Sequence, residues 1–450
     1  MSSSRKDPID PNSEYLIQIC ESAVSSLSFI ENEVHKIISD SVVRDGKICS
    51  AEINRQQFSV HGYAWLATYC EALKQLLQWA KRIDASGTLG ALEKLILTSG
   101  FGEYLAQIKG GITMSQVEIV RLADLGLSPL QEKELETSEI RELITRGANP
   151  TTRLAIAELI SENHFGELGI DDNSLAIIKD QFQRFSDEQI APYAQTWHKT
   201  DSLIPEDIIA QMADLGVFGL TVPEKWGGVQ LGKTAMCMVT EELCRGYLGV
   251  GSLATRTEIA ADLILLHGTE AQKQTWLKKL AQGNILPTAL FTEPDTGSDL
   301  ASIKTRASKS RNSYLVTGAK TWSTHASRAD LMTMLVRTNP KKAGYQGVSV
   351  LLAPKPRGRE TNLFPVQGMS GSEIKVLGYR GMKEYEIAFS DFIVPLDCLL
   401  GGIEGEGFKQ LMGSMETARI QTAARSLGVA QSALELGLEY AKQRRQFGEP

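Results

Sequence analysis

The sequence has little of what marks a disulfide-bonded or metal-binding protein. Its six cysteines are Cys20, Cys49, Cys70, Cys237, Cys244 and Cys398. None of them forms a CxxC pair, and the six histidines are scattered, so the spacings fit neither a zinc site nor a disulfide framework. We therefore predict reduced, mostly buried thiols and no metal.

The sequence also lacks a long apolar run and an excess of positive charge. No stretch of about 18 apolar residues occurs, and the polar start, MSSSRKDPIDPNSEY, has no apolar signal-peptide core. The net charge of -7 and the isoelectric point near 5.6 imply no basic surface for nucleic acid. These absences predict a protein that binds neither membrane nor nucleic acid and is located in the bacterial cytoplasm.

Hydrophobic periodicity predicts that the first third of the chain is helical. Residues 14–160 carry apolar side chains at three- and four-residue spacing, which is typical of amphipathic helices. Within this region, Gly100 is predicted to end one helix and Thr113 to begin another. We interpret residues 1–165 as a helical extension for docking or dimerisation, since nothing in them suggests chemistry.

The rest of the chain changes from helix to strand and back to helix. A polar, glycine-containing stretch at 162–173 indicates a domain boundary. The predicted domains after it are a helical domain at 173–284, a β-barrel or sandwich at 285–402, and the start of a helical bundle at 405–450. The last helix has a predicted buried stripe from Leu427 to Ala441, but one or two helices cannot close a bundle. The fold class is therefore α+β, with an incomplete C-terminal bundle.

Two segments of the strand-rich region contain residues that suit a phosphate or a flat ring. Residues 292–299 read TEPDTGSD, which can meet a pyrophosphate through backbone N–H groups or can simply form a turn. Residues 320–325 read KTWSTH, in which Trp322 can shield a flat ring or pack in the core. The hydroxyl group of Thr324 can hydrogen-bond a ring nitrogen. We interpret His325 as a surface histidine or a hydrogen-bonded one.

A third segment, YAKQRRQFG at 440–448, places basic residues late in a helix, where they can bind phosphate or oppose the helix dipole. Taken in order, the three segments resemble the pattern TEPxxGSD, KTWxT and YAxxRxQFG of the acyl-CoA dehydrogenases. The segments 391–395 and 405–408 also resemble that family, and the resemblance covers residues 173–450. It implies a helical domain, a β-domain and a four-helix bundle that bind FAD without a Rossmann fold. The sequence contains no strand–GxGxxG–helix unit, in agreement with this.

The resemblance also implies a role for each matched residue. The residues at FAD-binding positions are Leu290, Phe291, Thr292, Gly297, Ser298, Trp322, Ser323, Thr324, Arg444, Gln446 and Phe447. The last three match residues that contact the FAD of a neighbouring subunit, which implies a homodimer or a dimer of dimers. The residues at acyl-CoA-binding positions are Ser298, Glu416 and Arg419.

Within the family, the long extension and the segments 114–122, 377–385 and 418–425 resemble the methylsuccinyl-CoA dehydrogenases. The resemblance implies oxidation of (2S)-methylsuccinyl-CoA to mesaconyl-CoA, with electrons passed to electron-transferring flavoprotein. A buried substrate carboxylate needs a cation, for which Arg380 and Lys383 are candidates, unless they are solvated loop charges. The alternatives are a dehydrogenase for another short or branched acyl-CoA and a non-catalytic flavin- or acyl-CoA-binding protein.

The catalytic base of this family is a glutamate, and the resemblance places it after the QFG segment. Some relatives instead carry it one residue before the arginine matched to Arg419, where this sequence has Ala418. Glu416 lies two residues earlier, about 200° away around a helix. We therefore expect no catalytic residue within 1–450 and a base C-terminal to Pro450, in a longer enzyme.

Overall fold

The computed structural model describes residues 12–170 and 172–448. The chain forms two units that divide between Asp171 and Asp172, and each has its own hydrophobic core. Residues 1–11 of the predicted extension and 449–450 of the predicted bundle lie outside the described residues. In the described part of the chain, no helix is long and apolar enough to cross a membrane.

The first unit is helical, with two short hairpins between its helices. The helices are α1 (Ser13–Val42), α2 (Ser50–Arg55), α3 (Gln57–Ala85), α4 (Ala91–Gly110), α5 (Pro129–Glu132), α6 (Ser138–Gly147) and α7 (Pro150–Ile160). The hairpins pair β1 (Val43–Arg44) with β2 (Lys47–Ile48) and β3 (Ile112–Thr113) with β4 (Ile119–Val120). The core contains Leu27 of α1, Leu66 of α3 and Phe101 of α4, so the apolar stripes of the long helices face one another.

Gly100 does not end a helix, contrary to the prediction, because α4 continues to Gly110. A Cβ atom at Gly100 would lie 2.5 Å from Cδ2 of Leu76 in α3. Similarly, a Cβ atom at Gly102 would lie 2.6 Å from the Cα atom of Gly147 in α6. These glycines therefore let neighbouring helices approach closely, which outweighs their low helix propensity.

The predicted helix from Thr113 is also wrong, since this residue belongs to the short strand β3. The hydroxyl oxygen of Ser115 accepts hydrogen bonds from the N–H groups of Val117 and Glu118, at 3.3 and 3.1 Å. A serine side chain that satisfies nearby backbone donors favours a turn over a helix. The apolar spacing in this segment therefore belongs to a hairpin.

The second unit consists of helices, a sheet and a final long helix. Its helices are α8 (Asn173–Phe185), α9 (Ala191–Thr200), α10 (Glu206–Asp214), α11 (Gly232–Gly246), α12 (Leu248–His267), α13 (Glu270–Ala281) and α14 (Gly407–Gln443). Its strands are β5 (Pro287–Leu290), β6 (Arg306–Lys309), β7 (Ser313–Lys320), β8 (Leu331–Arg337), β9 (Val348–Pro354), β10 (Met369–Ile374) and β11 (Glu384–Pro395).

The seven strands of this unit form one sheet in the order β10-β11-β7-β6-β8-β5, with β9 paired to β8. The strand β5 runs parallel to β8, and the pairs β10–β11, β11–β7, β6–β7 and β8–β9 are antiparallel. The strand β8 is buried throughout except at its last residue. This burial is typical of a central strand that is covered on both faces. The strand-rich prediction for this region is confirmed.

The long helix α14 is buried in its first part and exposed in its last part. Its buried residues lie between Gly407 and Gly428, where it packs on α11 and α12. The predicted buried stripe is wrong: Leu427 is 59% and Leu434 is 44% exposed. The periodicity of this segment was sufficient to predict a helix, but the described residues that surround it leave its last turns uncovered.

Two glycines of α14 test its packing on α11. A Cβ atom at Gly428 would lie 2.2 Å from the carbonyl oxygen of Glu241, whereas one at Gly437 would meet nothing within 4 Å. We expect Gly428→Ala to lower the free energy of unfolding by about 1–3 kcal/mol through overpacking. The control Gly437→Ala should raise it by about 0.5–1 kcal/mol. Urea unfolding followed by circular dichroism measures both, and equal shifts for the two variants would contradict the described packing.

Candidate active site

The first two sequence motifs meet just beyond the ends of β5 and β7. The N–H group of Thr321 donates a hydrogen bond to the carbonyl oxygen of Thr292 over 3.0 Å. The ammonium group of Lys320 is fully buried and donates to the carbonyl oxygen of Phe291 and to the carboxylate of Glu293, both at 2.9 Å. Lys320 and Glu293 are 27 residues apart in the sequence. A backbone hydrogen bond and a buried ion pair therefore hold the two motifs together.

The carboxylate of Glu293 is surrounded by donors. It also accepts hydrogen bonds from the backbone N–H groups of Lys304 and Thr305, at 2.6 and 2.9 Å. Burial opposes ionisation, but Lys320 and these hydrogen bonds outweigh it, so the pKa of Glu293 lies below its usual value. Burial lowers the pKa of Lys320 to about 8, although Glu293 opposes this shift. The three donors around the carboxylate favour the ionised form of the pair.

A cavity of about 670 Å³ adjoins the KTWSTH segment. Its walls come from α12, the segment after β7, the loop between β10 and β11, β11 itself and α14. The polar and aromatic residues that line it include Arg256, Trp322, Thr324, Tyr379, Glu384 and Arg425. Two arginines and one carboxylate thus face the same space.

Trp322 lies on the cavity wall, and its interpretation as a core residue is wrong, since 56% of its surface is exposed. Its φ angle is 53°, in the left-handed region that a bulky residue seldom adopts. Such strain persists only where the surrounding structure imposes it, and it is concentrated at functional sites. The indole ring is therefore available to a flat ligand.

Thr324 joins two charged residues of the cavity. Its hydroxyl group donates to Oε1 of Glu384 over 2.7 Å and accepts from Nη2 of Arg256 over 2.8 Å. Burial raises the pKa of Glu384, while Thr324 and Arg256 oppose the shift. Oε2 of Glu384 and Nε of Arg256 are buried and have no hydrogen-bond partner among the described residues.

Arg425 is held by hydroxyl groups. Its Nη1 donates to Oγ of Ser252 over 2.9 Å and to the hydroxyl oxygen of Tyr379 over 3.0 Å, and its Nη2 donates to Oγ1 of Thr422 over 2.9 Å. Its Nε is buried and has no partner among the described residues. Neither Arg425 nor Arg256 forms an ion pair within the part of the chain that the structure describes.

His325 is neither a surface residue nor a hydrogen-bonded one, so that interpretation is wrong. It is 1% exposed, and neither ring nitrogen has a partner among the described residues. Burial, together with the positive charges of Arg328, Arg357, Arg256 and Lys355, lowers its pKa to about 3. The imidazole is therefore neutral at physiological pH.

The remaining residues singled out from sequence lie around this cavity or outside it. Leu290 and Ser323 are buried, and the Ser323 hydroxyl has no hydrogen-bond partner among the described residues. Phe291 and Thr292 are half-buried. Those that are exposed and do not line the cavity are Gly297, Ser298, Glu416, Arg419, Arg444, Gln446 and Phe447. Their assigned roles stay predictions.

The two candidate cations for a substrate carboxylate are engaged elsewhere. Arg380 donates to the carbonyl oxygen of His198 over 3.0 Å, and Lys383 pairs with Glu373 over 3.0 Å. Neither lines the 670 Å³ cavity. The residues that do line it include Arg256, Tyr379, Glu384 and Arg425, none of which was predicted as a site residue. Two signals were present in the sequence. The last three lie within the segments 377–385 and 418–425 that resemble the methylsuccinyl-CoA dehydrogenases, and the spacing of Thr422, Arg425 and Val429 places them on one face of α14.

Among the described residues, no group of three or more His, Cys, Asp or Glu side chains could hold a metal ion. The described cysteines are all free thiols.

Comparison with known proteins identifies the family of this chain. Models of the acyl-CoA dehydrogenase N-terminal, middle and C-terminal domains match residues 173–284, 288–392 and 405–450. The chain belongs to the acyl-CoA dehydrogenase family, whose members are oxidoreductases. It is 51% identical over 437 residues to (2S)-methylsuccinyl-CoA dehydrogenase of Cereibacter sphaeroides, an alignment that covers 96% of this chain and 79% of that protein. The predicted family and fold are confirmed.

Two solved structures support the same assignment. A glutaryl-CoA dehydrogenase in complex with glutaryl-CoA is 29% identical with a TM-score of 0.58, covering 62% of this chain and 69% of the other. A glutaryl-CoA dehydrogenase of Mycobacterium smegmatis in complex with FADH2 is 25% identical with a TM-score of 0.55, covering 62% and 68%. FAD is thus typical of the family.

The buried pair of Lys320 and Glu293 gives a stability prediction. We expect Lys320→Met to lower the free energy of unfolding by about 3–5 kcal/mol, because it leaves a buried carboxylate without its cation. The control Lys304→Met removes the partner of Asp295 from an exposed pair and should change stability little. Urea unfolding compares the two, and a Lys320→Met effect no larger than that of the control would contradict a structural role for the pair.

Proposed function

We propose that this protein uses FAD to oxidise (2S)-methylsuccinyl-CoA to mesaconyl-CoA and passes the electrons to electron-transferring flavoprotein. The observation that carries the proposal is the cavity that places Arg256 and Arg425 beside Trp322 and Thr324. The 51% identity to a methylsuccinyl-CoA dehydrogenase supports the same substrate.

The two arginines support a substrate that ends in a carboxylate. Arg256 and Arg425 are half-buried, donate to hydroxyl groups and have no ion-pair partner among the described residues. Glu384 is linked to Arg256 through Thr324, and Nε of both arginines has no hydrogen-bond partner among the described residues. Guanidinium groups bind carboxylates through charge-assisted, often bidentate, hydrogen bonds. A carboxylate at the far end of the acyl group would accept such hydrogen bonds.

The residues of the same wall fit FAD. The ring of Trp322 is open to the cavity, Thr324 offers a hydroxyl group, and the buried hydroxyl of Ser323 has no partner among the described residues. We propose that these residues, with Leu290, Phe291, Thr292, Gly297 and Ser298, hold the cofactor. Bound FAD would accept the two electrons that the substrate loses.

The protein's own residues bind and orient the thioester in this proposal. Glu384 is the one carboxylate among the described residues that line the cavity, and Thr324 holds its Oε1. We assign Glu384 to the polar wall of the cavity and not to removal of the α-proton, which the family resemblance gives to a different glutamate. The exposed Glu416 and Arg419 would contact the CoA portion.

The proposal includes an assembly of at least two subunits. Arg444, Gln446 and Phe447 follow the last helix and are exposed, which leaves them accessible to a second copy of the chain. We propose that they contact the neighbouring subunit's FAD in a homodimer or a dimer of dimers. A location in the cytoplasm stays a prediction from the sequence.

The test of this function is the flavin spectrum of the product of the whole coding sequence. The purified protein should be yellow, and (2S)-methylsuccinyl-CoA should bleach the oxidised flavin band under anaerobic conditions. Bleaching by other short or branched acyl-CoAs alone would keep the family's chemistry and reject this substrate. A bound flavin that no acyl-CoA bleaches would instead favour a non-catalytic binding protein.

Replacing one cavity arginine should weaken only the recognition of the substrate's terminal carboxylate. We expect Arg256→Met to lower kcat/KM for (2S)-methylsuccinyl-CoA by ~10- to 100-fold, because a charged hydrogen bond is lost. The value for (S)-2-methylbutyryl-CoA, which has a methyl group in place of the carboxylate, should change little. The control Arg419→Met should weaken both substrates equally, since the CoA portion is common to both. Equal losses for both substrates in Arg256→Met would reject the carboxylate role.

A further inference from the structure

The hydroxyl group of Tyr379 lies at the meeting point of three segments on the cavity wall. It is hydrogen-bonded to Oγ of Ser252 on α12 and accepts a hydrogen bond of 3.0 Å from Nη1 of Arg425 on α14. The same Nη1 also donates to Ser252, which is fully buried, over 2.9 Å. Tyr379 therefore links the loop between β10 and β11 to both helices through one guanidinium nitrogen.

The backbone holds Tyr379 in a conformation that its side chain does not favour. Its φ angle is 63°, in the left-handed region. The loop is fastened just after it: the hydroxyl of Tyr247 donates to the carbonyl oxygen of Arg380 over 2.7 Å, and the N–H group of Ile204 donates to that of Gly381 over 3.0 Å. These contacts keep the phenol ring on the cavity wall, where its hydroxyl meets Arg425.

Arg425 depends on such neutral partners for its position. A carboxylate partner would fix the guanidinium group but would also cancel its charge. Hydroxyl groups of Tyr379, Ser252 and Thr422 fix it and leave its charge for the ligand. The guanidinium group of Arg425 thus has a fixed orientation and a positive charge that no carboxylate neutralises in an ion pair among the described residues.

We propose that Tyr379 is a positioning residue that aims Arg425 at the terminal carboxylate of a dicarboxylic acyl-CoA, and that it thereby selects these ligands over monocarboxylic ones. The inference rests on the proposed function, since it takes a carboxylate as the partner of Arg425. A neutral side chain, that of Tyr379, would then contribute to the substrate specificity of the site.

The test compares two ligands that differ only in that carboxylate. Mesaconyl-CoA and tiglyl-CoA have the same chain, double-bond geometry and α-methyl group, and tiglyl-CoA ends in a methyl group. Neither has to be turned over, so calorimetry on the FAD-bound protein gives their Kd values directly. We expect Tyr379→Phe to raise the Kd of mesaconyl-CoA by ~10-fold and to leave that of tiglyl-CoA within about twofold, because one hydrogen bond to a charged group is lost.

A double-mutant cycle separates positioning from a general structural role. In an Arg425→Met background, Tyr379→Phe should have no further effect on mesaconyl-CoA, because the residue that it positions is gone. Tyr345→Phe, at an exposed tyrosine that does not line the cavity, is the matched control and should change neither Kd. Equal weakening of both ligands, or an undiminished effect in the Arg425→Met background, would overturn the inference.

The same data distinguish the two levels of the proposal. If the wild-type protein prefers mesaconyl-CoA and Tyr379→Phe does not alter that preference, the positioning role is wrong and the proposed function stands. If the wild-type protein shows no preference for mesaconyl-CoA over tiglyl-CoA, the proposed substrate is wrong and the role of Tyr379 falls with it.

Discussion

The geometry of the candidate site depends on the buried ion pair of Lys320 and Glu293. A charged side chain that is fully removed from water is tolerated only when it is paired and hydrogen-bonded. The carboxylate of Glu293 receives Lys320 from the end of β7 and the N–H groups of Lys304 and Thr305 from the segment before β6. Three chain segments are therefore fixed to one point. The next residues after Lys320 leave the sheet from that point, which is how Trp322 comes to lie on the cavity wall.

His325 lies behind this wall and is neutral. Burial lowers its pKa most, and the cationic side chains of Arg328, Arg357, Arg256 and Lys355 add to the effect. The charges of Arg256 and Arg425 favour negative charge in the cavity that they line, whether on a substrate carboxylate or on a cofactor that gains electrons. Glu384 supplies a local counter-charge on the same wall, and its pKa is raised because burial opposes its ionisation.

Sequence patterns predicted the elements of this protein better than their contacts. Apolar spacing is a local property, so the long helices and the strand-rich region were predicted correctly, whereas the short hairpin at Thr113 was mistaken for a helix. Gly100 was misread because a glycine that lets two helices approach has the same local appearance as one that ends a helix. Trp322 and Thr324 could be predicted as site residues because both belong to the KTWSTH motif, which is a continuous segment of six residues. Arg256 and Arg425 belong to α12 and α14 and line one cavity. A local sequence pattern cannot predict that the faces of two distant helices meet, so these residues were not predicted.

The arginines of the second unit differ in the chemistry of their partners. Arg245 pairs with Glu242 and Glu435 at 2.9 and 3.1 Å, and Arg357 pairs with Asp330 at 2.9 Å. These guanidinium groups have their charges compensated within the fold, so they contribute to structure. Arg256 and Arg425 donate instead to hydroxyl groups, and within the described residues no carboxylate forms an ion pair with either. Arg337 and Arg380 donate instead to backbone carbonyl oxygens. Hydroxyl partners therefore distinguish the two cavity arginines from these four. An arginine held by neutral groups keeps its full attraction for an anionic ligand, and this contrast is the physical reason to seek the acidic end of the substrate between α12 and α14.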